Sequence, residues 1–250
     1  MSANEEIPLE ELTHEQPEDE PQNQQQDEDE PQNQQQDEET QAQQQFREFK
    51  KNPGKFLSKN PVRIVGEKNS GVIPYYFYKD YEIYKIIPNP EGRLQTIYPG
   101  GVTFQAHNLA VKKLNNTNWG EEETDAIEIP SYNLNKEPEV SLMMTTQLSG
   151  CAFCFKEIGE QYLVAHIQPP DKKNTGATVQ EQLIKRGRFE EFPDEKLNVF
   201  GASMNYDADK ERAYVISVKQ NGKWTHHVQV TDGNLSSPEI KATFSFAEGM

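Results

Sequence analysis

The chain has 250 residues, of which 41 are acidic and 25 are basic, and its formal net charge at pH 7 is −16. Residues 1–45 hold fifteen of the acidic residues and none of the basic ones, so residues 46–250 have 26 acidic and 25 basic residues and a net charge of −1. A nearly neutral body of this kind lacks the clustered basic charge that nucleic acid requires, and we expect no nucleic-acid partner.

The two cysteines, Cys151 and Cys154, are three positions apart. In a strand that spacing is about 10 Å, beyond the reach of a disulfide, and a chain without disulfides suits a reducing compartment. The N-terminus lacks the basic and apolar regions of a secretory signal. No apolar run approaches the ~18 residues of a membrane span. We therefore expect no membrane contact, and if the protein is secreted, we expect a non-classical route.

Composition divides the chain into three parts. Residues 1–45 are acidic and glutamine-rich, and the decapeptide at 19–28 is repeated without change at 29–38. Such a segment cannot bury enough apolar surface to offset its ordering entropy, so we expect a disordered tail that either solubilises the protein or serves its delivery. Residues 46–60 are basic and are interrupted by proline and glycine, which predicts a linker. Residues 61–250 are expected to form one catalytic domain.

From residue 61 the chain has mostly the pattern of strands. Predicted strands cover residues 62–65, 72–78, 81–87, 94–98, 102–105, 140–145, 196–204, 213–220 and 223–230. Asn221-Gly222 predicts a tight hairpin turn. Thr178 and Glu181 form a capping box that predicts a helix over 179–188. The expected fold class is α+β, a β-rich sandwich with a few flanking helices.

Two apolar and aromatic runs, 151–155 and 161–166, predict a hairpin with a four-residue loop. This register sets Cys151 opposite His166, with Cβ atoms about 4.5–5.5 Å apart. A thiol beside an imidazole is the arrangement of a histidine-activated cysteine nucleophile, and it would lower the thiol pKa below its ordinary value of about 8.5. Cys154 falls on the opposite face. Because a lone cysteine is more often a small buried core residue, a structural role for Cys151 stays open.

Other histidines are weaker candidates. His226 and His227 are neighbours on a predicted strand, so they point to opposite faces and cannot share a metal ion. His107 follows a predicted strand and is a minor candidate for an additional site residue.

The run Leu148-Ser149-Gly150-Cys151, followed by His166, resembles the LSGC-motif glutamine deamidase toxins, which include the Burkholderia lethal factor and the catalytic domain of the cytotoxic necrotizing factors. Thr145, the run His166–Pro169 and the segment Gly92–Gly100 also resemble the lethal-factor pattern. The interval from cysteine to histidine is instead the longer one of the necrotizing factors. The resemblance covers about residues 60–170.

The resemblance implies a bacterial toxin or effector that deamidates glutamine in a host protein. Cys151 would be the nucleophile, His166 the base and Thr145 a support that orients either His166 or the preceding turn. Ser149 and Gly150 would shape that turn and present backbone N–H groups to an oxyanion. No metal or organic cofactor is required.

The same resemblance implies action in the host cytoplasm, and we expect a monomer. The favoured substrate is a translation-initiation RNA helicase, with inhibition of host translation as the outcome. Two alternatives remain, a deamidase of Rho-family GTPases and a non-catalytic β-sandwich interaction module.

Overall fold

Two packed β-sheets dominate the computed structural model of the protein, which describes residues 42–247 except 116, 118, 121, 171–175 and 203. The strands are β1 (Val62–Ile64), β2 (Gly71–Asp80), β3 (Ile83–Pro88), β4 (Val102–Leu109), β5 (Val111–Lys113), β6 (Ile127–Ile129), β7 (Tyr132–Asn133), β8 (Leu142–Thr145), β9 (Ala152–Ile158), β10 (Gln161–Gln168), β11 (Gly187–Phe189), β12 (Asn198–Gly201), β13 (Glu211–Gln220), β14 (Lys223–Asp232) and β15 (Ile240–Ala247). The helices are α1 (residues 42–51), α2 (Pro53–Leu57), α3 (Leu94–Ile97) and α4 (Gly176–Arg186), with a 3₁₀ turn at Leu134–Lys136.

The larger sheet has the strand order β1-β3-β2-β4-β8-β13-β14-β15. The smaller sheet has the order β12-β9-β10-β5, with β7 paired to β10, and β6 and β11 form a separate two-stranded pair. This β-rich architecture with few helices confirms the predicted α+β class. None of the helices among the described residues is long and apolar enough to cross a membrane.

Three apolar clusters separate the layers. The central cluster lies between the sheets, where Phe153 and Val164 pack with Val215 and Val228. A second cluster joins the outer face of the larger sheet to α1 and α2. A third joins the outer face of the smaller sheet to α4 and the β6–β11 pair. The predicted hairpin is therefore covered on both faces, which explains why its strands are apolar at nearly every position.

The structure corrects the prediction of a linker at residues 46–60. Phe46, Phe49, Phe56 and Leu57 are buried against the larger sheet, and the Phe49 ring centroid is 5.7 Å from that of Phe77. Proline does not break this segment, because Pro53 lies in the first turn of α2, where a missing N–H costs nothing. Helix α1 also includes residues 42–45 of the predicted tail. The predicted disorder of residues 1–41 lies outside the described residues.

Replacing Phe49 by alanine tests this correction. We expect the free energy of unfolding to fall by about 3–5 kcal/mol, the usual cost of removing a buried phenylalanine ring. The exposed neighbour Lys51, changed to alanine, should shift it by less than ~0.5 kcal/mol. Urea denaturation measures both, and equally small effects would restore the linker interpretation.

Local turn chemistry explains where the predicted elements succeeded and failed. Asn221 and Gly222 adopt φ values of 52° and 80°, so the predicted hairpin of β13 and β14 is confirmed. Residues 94–97 form α3 rather than a strand, and the Asn89 side chain accepts a hydrogen bond from the Leu94 N–H at the start of this helix, at 3.2 Å. The predicted helix at 179–188 begins and ends earlier, as α4.

Candidate functional site

The β9–β10 hairpin exists, but its register differs from the prediction by two residues. His166 pairs with Phe153, and Cys151 lies just before β9 rather than directly opposite His166. The loop has two residues, Gly159 and Glu160, and Gly159 has the positive φ (59°) required at the first position of a type II′ turn. Because side chains alternate with a period of two, a shift of two keeps each one on its face.

The shift therefore converts Cys151 and His166 from direct to diagonal neighbours. Cys151 packs in the central cluster with Phe153 and Val164, and His166 lies two residues from Val164 on the same face of β10. Diagonal positions are typically about 7–8 Å apart. Consistent with this spacing, His166 Nε2 is buried and has no hydrogen-bond partner among the described residues. The predicted thiol–imidazole contact is thus not made in this structure.

Thr145 holds the other side of the imidazole. Its Oγ1 lies 2.7 Å from His166 Nδ1 and 2.9 Å from the Leu109 carbonyl oxygen. The hydroxyl has a single hydrogen, which it donates to Leu109, so Oγ1 must accept a hydrogen bond from Nδ1–H. The network assigns the tautomer and leaves the lone pair on Nε2 available as a base.

Burial sets the charge of both reactive groups. It lowers the pKa of His166 to about 4, and it raises the pKa of Cys151 to about 11, against a smaller lowering by the Ser149 backbone. The thiol and the imidazole are therefore both neutral at pH 7. This direction corrects the expectation of a lowered thiol pKa, which depended on a contact with imidazolium.

The turn before Cys151 is fixed by a residue that sequence reasoning missed. Gly150 has a φ of 87°, and its N–H donates to the Tyr206 hydroxyl at 3.0 Å. The same hydroxyl donates to the Cys151 carbonyl oxygen at 3.0 Å. The sequence suggested that the Gly150 N–H would be free to bind an oxyanion. In this structure it is already bonded to Tyr206. Ser149 is exposed at the same turn.

Helix α4 begins against this turn. A Cβ atom at Gly176 would lie 2.5 Å from the Gly150 carbonyl oxygen, so only glycine allows this approach. Beside the contact is a surface cleft of about 440 Å³. It is lined by Gly176, Ala177, Ala202, Tyr206, Asp207, Ala208 and Asp209. The cleft places small side chains and the Tyr206 ring next to the backbone that carries Cys151.

The remaining candidates lie elsewhere. Cys154 is fully buried on the other face of β9, in the cluster with Val179 and Leu183. His107 is buried and its Nδ1 lies 3.0 Å from the Tyr132 hydroxyl. His226 bonds to Ser217 and Tyr162 inside the central core, whereas His227 bonds to Ser245. His226 and His227 thus have separate partners, as the alternation of a strand predicts.

Comparison with known proteins identified no matching family model and no significantly similar curated protein.

Replacing Tyr206 by phenylalanine tests the role of its hydroxyl. The change leaves the Gly150 N–H and the Cys151 carbonyl without their partner, at a cost of about 1–3 kcal/mol in unfolding free energy. It also frees the turn, and we expect turnover to fall tenfold or more, since a misplacement of ~1 Å can cost about 10²-fold. Tyr214→Phe is the matched control, because the Tyr214 hydroxyl makes only a 3.4 Å bond to Gln147. Equal turnover in both variants would contradict a positioning role for Tyr206.

Proposed function

We propose that the protein is a protein-glutamine deamidase. Cys151 attacks a side-chain amide, and His166 acts first as the general base and then as the general acid. One observation carries the proposal. A buried imidazole is held through Nδ1 by Thr145, and its unpartnered Nε2 lies on the strand face that also carries the Cys151 side chain. Leaving a buried ring nitrogen without a partner costs stability. His107 Nε2 is buried without a partner as well, so it is the Cys151 side chain on the same strand face that favours a catalytic purpose for His166.

The charge states decide how the first step proceeds. With the thiol pKa raised to about 11 and the imidazole pKa lowered to about 4, moving the proton before substrate arrives is strongly unfavourable. A standing thiolate–imidazolium pair is therefore not the resting state. Proton transfer to Nε2 accompanies attack on the amide carbon, after a small movement closes the diagonal gap between the two side chains.

The later steps follow from the same groups. The imidazolium gives its proton to the departing ammonia, which leaves the glutamine carbon as a thioester on Cys151. Neutral His166 then takes a proton from water, which attacks the thioester carbon. The C–S bond breaks, the Cys151 sulfur takes the proton back from His166, and a glutamate side chain is released. An oxyanion in either step needs N–H donors at the Gly150–Cys151 turn. We therefore expect the Gly150 N–H to leave the Tyr206 hydroxyl on substrate binding, while that hydroxyl keeps its bond to the Cys151 carbonyl oxygen and holds the turn.

The substrate is proposed from the resemblance and the cleft together. A glutamine side chain is linear, uncharged and able to donate hydrogen bonds, which suits a cleft next to the Cys151 backbone whose walls combine glycine and alanine with Tyr206, Asp207 and Asp209. The LSGC resemblance favours a host translation-initiation RNA helicase, with loss of translation as the outcome. A Rho-family GTPase is the second choice within the same chemistry.

Mass spectrometry of host-cell lysate provides the test. Lysate treated with the protein should contain a peptide in which one glutamine has become glutamate, and lysate treated with Cys151→Ser should not. The modified peptide also identifies the substrate. Absence of any Cys151-dependent conversion, with the protein folded, would reject the proposal.

A second candidate is a non-catalytic interaction module in which Cys151 is structural. It is favoured by the 6% exposure of Cys151 and by the missing contact with His166. Reaction with iodoacetamide separates the two functions. Because the resting thiol is neutral, a catalytic Cys151 should react by passing its proton to His166, so His166→Ala should slow its alkylation. Two structural cysteines should react only as fast as the protein unfolds, with or without His166.

A further inference from the structure

A strongly basic segment lies between two acidic parts of the chain. Residues 42–60, which form α1 and α2, carry five basic residues and one acidic residue, a net charge of +4. Residues 1–41 carry fifteen acidic residues and no basic one, and residues 61–250 have a net charge of −5. An acidic tail is therefore repelled by most of the folded protein and attracted to α1 and α2.

Three lysines of this segment share one hollow on the surface. Lys51, Lys55 and Lys59 line a hollow of about 450 Å³ whose other walls include Phe56 and Asn60. All three are exposed, and none makes an ion pair with another described residue. Glu48 is the single acidic residue of the hollow. We call this surface, Lys51, Lys55 and Lys59 with the hollow between them, the lysine face.

We propose that the lysine face binds the acidic decapeptide repeats, residues 19–28 and 29–38, of the same chain. Each repeat has two pairs of neighbouring carboxylates, such as Asp29-Glu30 and Asp37-Glu38, separated by six residues. Single exposed ion pairs are weak, but several formed together by a tethered segment benefit from a high effective concentration.

The tether has a suitable length. Helix α1 extends from residue 42 to residue 51, about 15 Å. Residues 38 and 29 are four and thirteen positions before residue 42, so they reach at most about 14 Å and 45 Å from it. The second repeat can therefore run back along α1 to the lysine face, and the first repeat offers an equivalent copy.

Cross-linking of the full chain with a carbodiimide, which joins carboxylates to nearby amines, locates the contact. We expect links from residues 19–38 to concentrate on Lys51, Lys55 and Lys59 and to decrease at least fivefold in 1 M salt, where screening is nearly complete. An isotopically labelled mixture should show that the links lie within one molecule. Links spread over all exposed lysines, or formed between molecules, would overturn the proposal.

Digestion with a glutamate-specific protease tests the lysines independently. Cleavage within 19–38 should be severalfold slower in the full chain than in a free peptide of residues 1–41. The triple variant Lys51→Gln, Lys55→Gln, Lys59→Gln should cleave at the peptide rate. The control triple Lys68→Gln, Lys113→Gln, Lys223→Gln, with the same loss of charge at exposed sites, should stay slow. Equal cleavage rates in the two triple variants would reject the intramolecular contact. So would cleavage of the full chain at the peptide rate, combined with binding of anionic vesicles or RNA that depends on the three lysines.

Discussion

Cys151→Ser is expected to abolish glutamine deamidation while leaving the fold intact. Serine nearly matches cysteine in size, but its hydroxyl is a far weaker nucleophile than a thiol at neutral pH. The residue sits at the end of a turn held by Tyr206, and its side chain makes no hydrogen bond to His166 that the substitution would break. Release of ammonia from the identified substrate, with circular dichroism to verify the fold, measures the result.

The second cysteine supplies the matched control. Cys154 lies three residues away on the opposite face of β9 and is fully buried under α4. Alanine is the better replacement there, because a serine hydroxyl in that apolar cluster would lack a partner. Cys154→Ala should keep full activity per folded molecule. Activity that survives Cys151→Ser and disappears with Cys154→Ala would place the chemistry on the wrong face of the sheet and end the proposal.

The β9–β10 hairpin shows which features of the site a sequence can predict. The apolar and aromatic runs indicated two strands, and the period of two correctly separated the face of Cys151 from that of Cys154. The register depended on whether the loop had four residues or two, and both lengths are common. Gly159 at the first loop position was the available signal for the shorter loop. The register error of two residues therefore left Cys151 and His166 on the predicted face, but they are not directly opposite each other.

Other features had no comparable signal in the sequence. Tyr206 contacts the Gly150–Cys151 turn from a loop 55 positions away, and no local pattern predicts a contact at that separation. The burial of His166 and Cys151, which determines their neutral state, depends on the second sheet covering the first. Phe46, Phe49 and Phe56 are three and seven positions apart, a helical spacing that the linker prediction did not take into account.

His166→Ala is expected to lower kcat/KM by about 10²–10⁴-fold, the usual contribution of a general base. The alanine removes Nε2 and leaves the bond from the Thr145 hydroxyl to Leu109 in place. Thr145→Ser keeps the hydroxyl and should remain close to wild type. Thr145→Val removes the acceptor for Nδ1–H and should give an intermediate loss. A His166→Ala enzyme that matches wild type would exclude the histidine from catalysis.

The pH dependence of the same variants reports whether His166 is neutral and buried. Since the base works only when unprotonated and burial lowers its pKa to about 4, activity should persist below pH 6.

The same pKa shift makes stability depend on pH. Unfolded His166 binds a proton below about pH 6.5, whereas the folded form does not until about pH 4. This residue therefore makes the unfolding free energy decrease as pH falls between those values. His166→Ala should therefore reduce the slope in that window by up to about 1.4 kcal/mol per pH unit. Urea midpoints at several pH values measure the slope, and an unchanged slope would show that His166 is solvated in the folded protein, without the buried environment on which this mechanism depends.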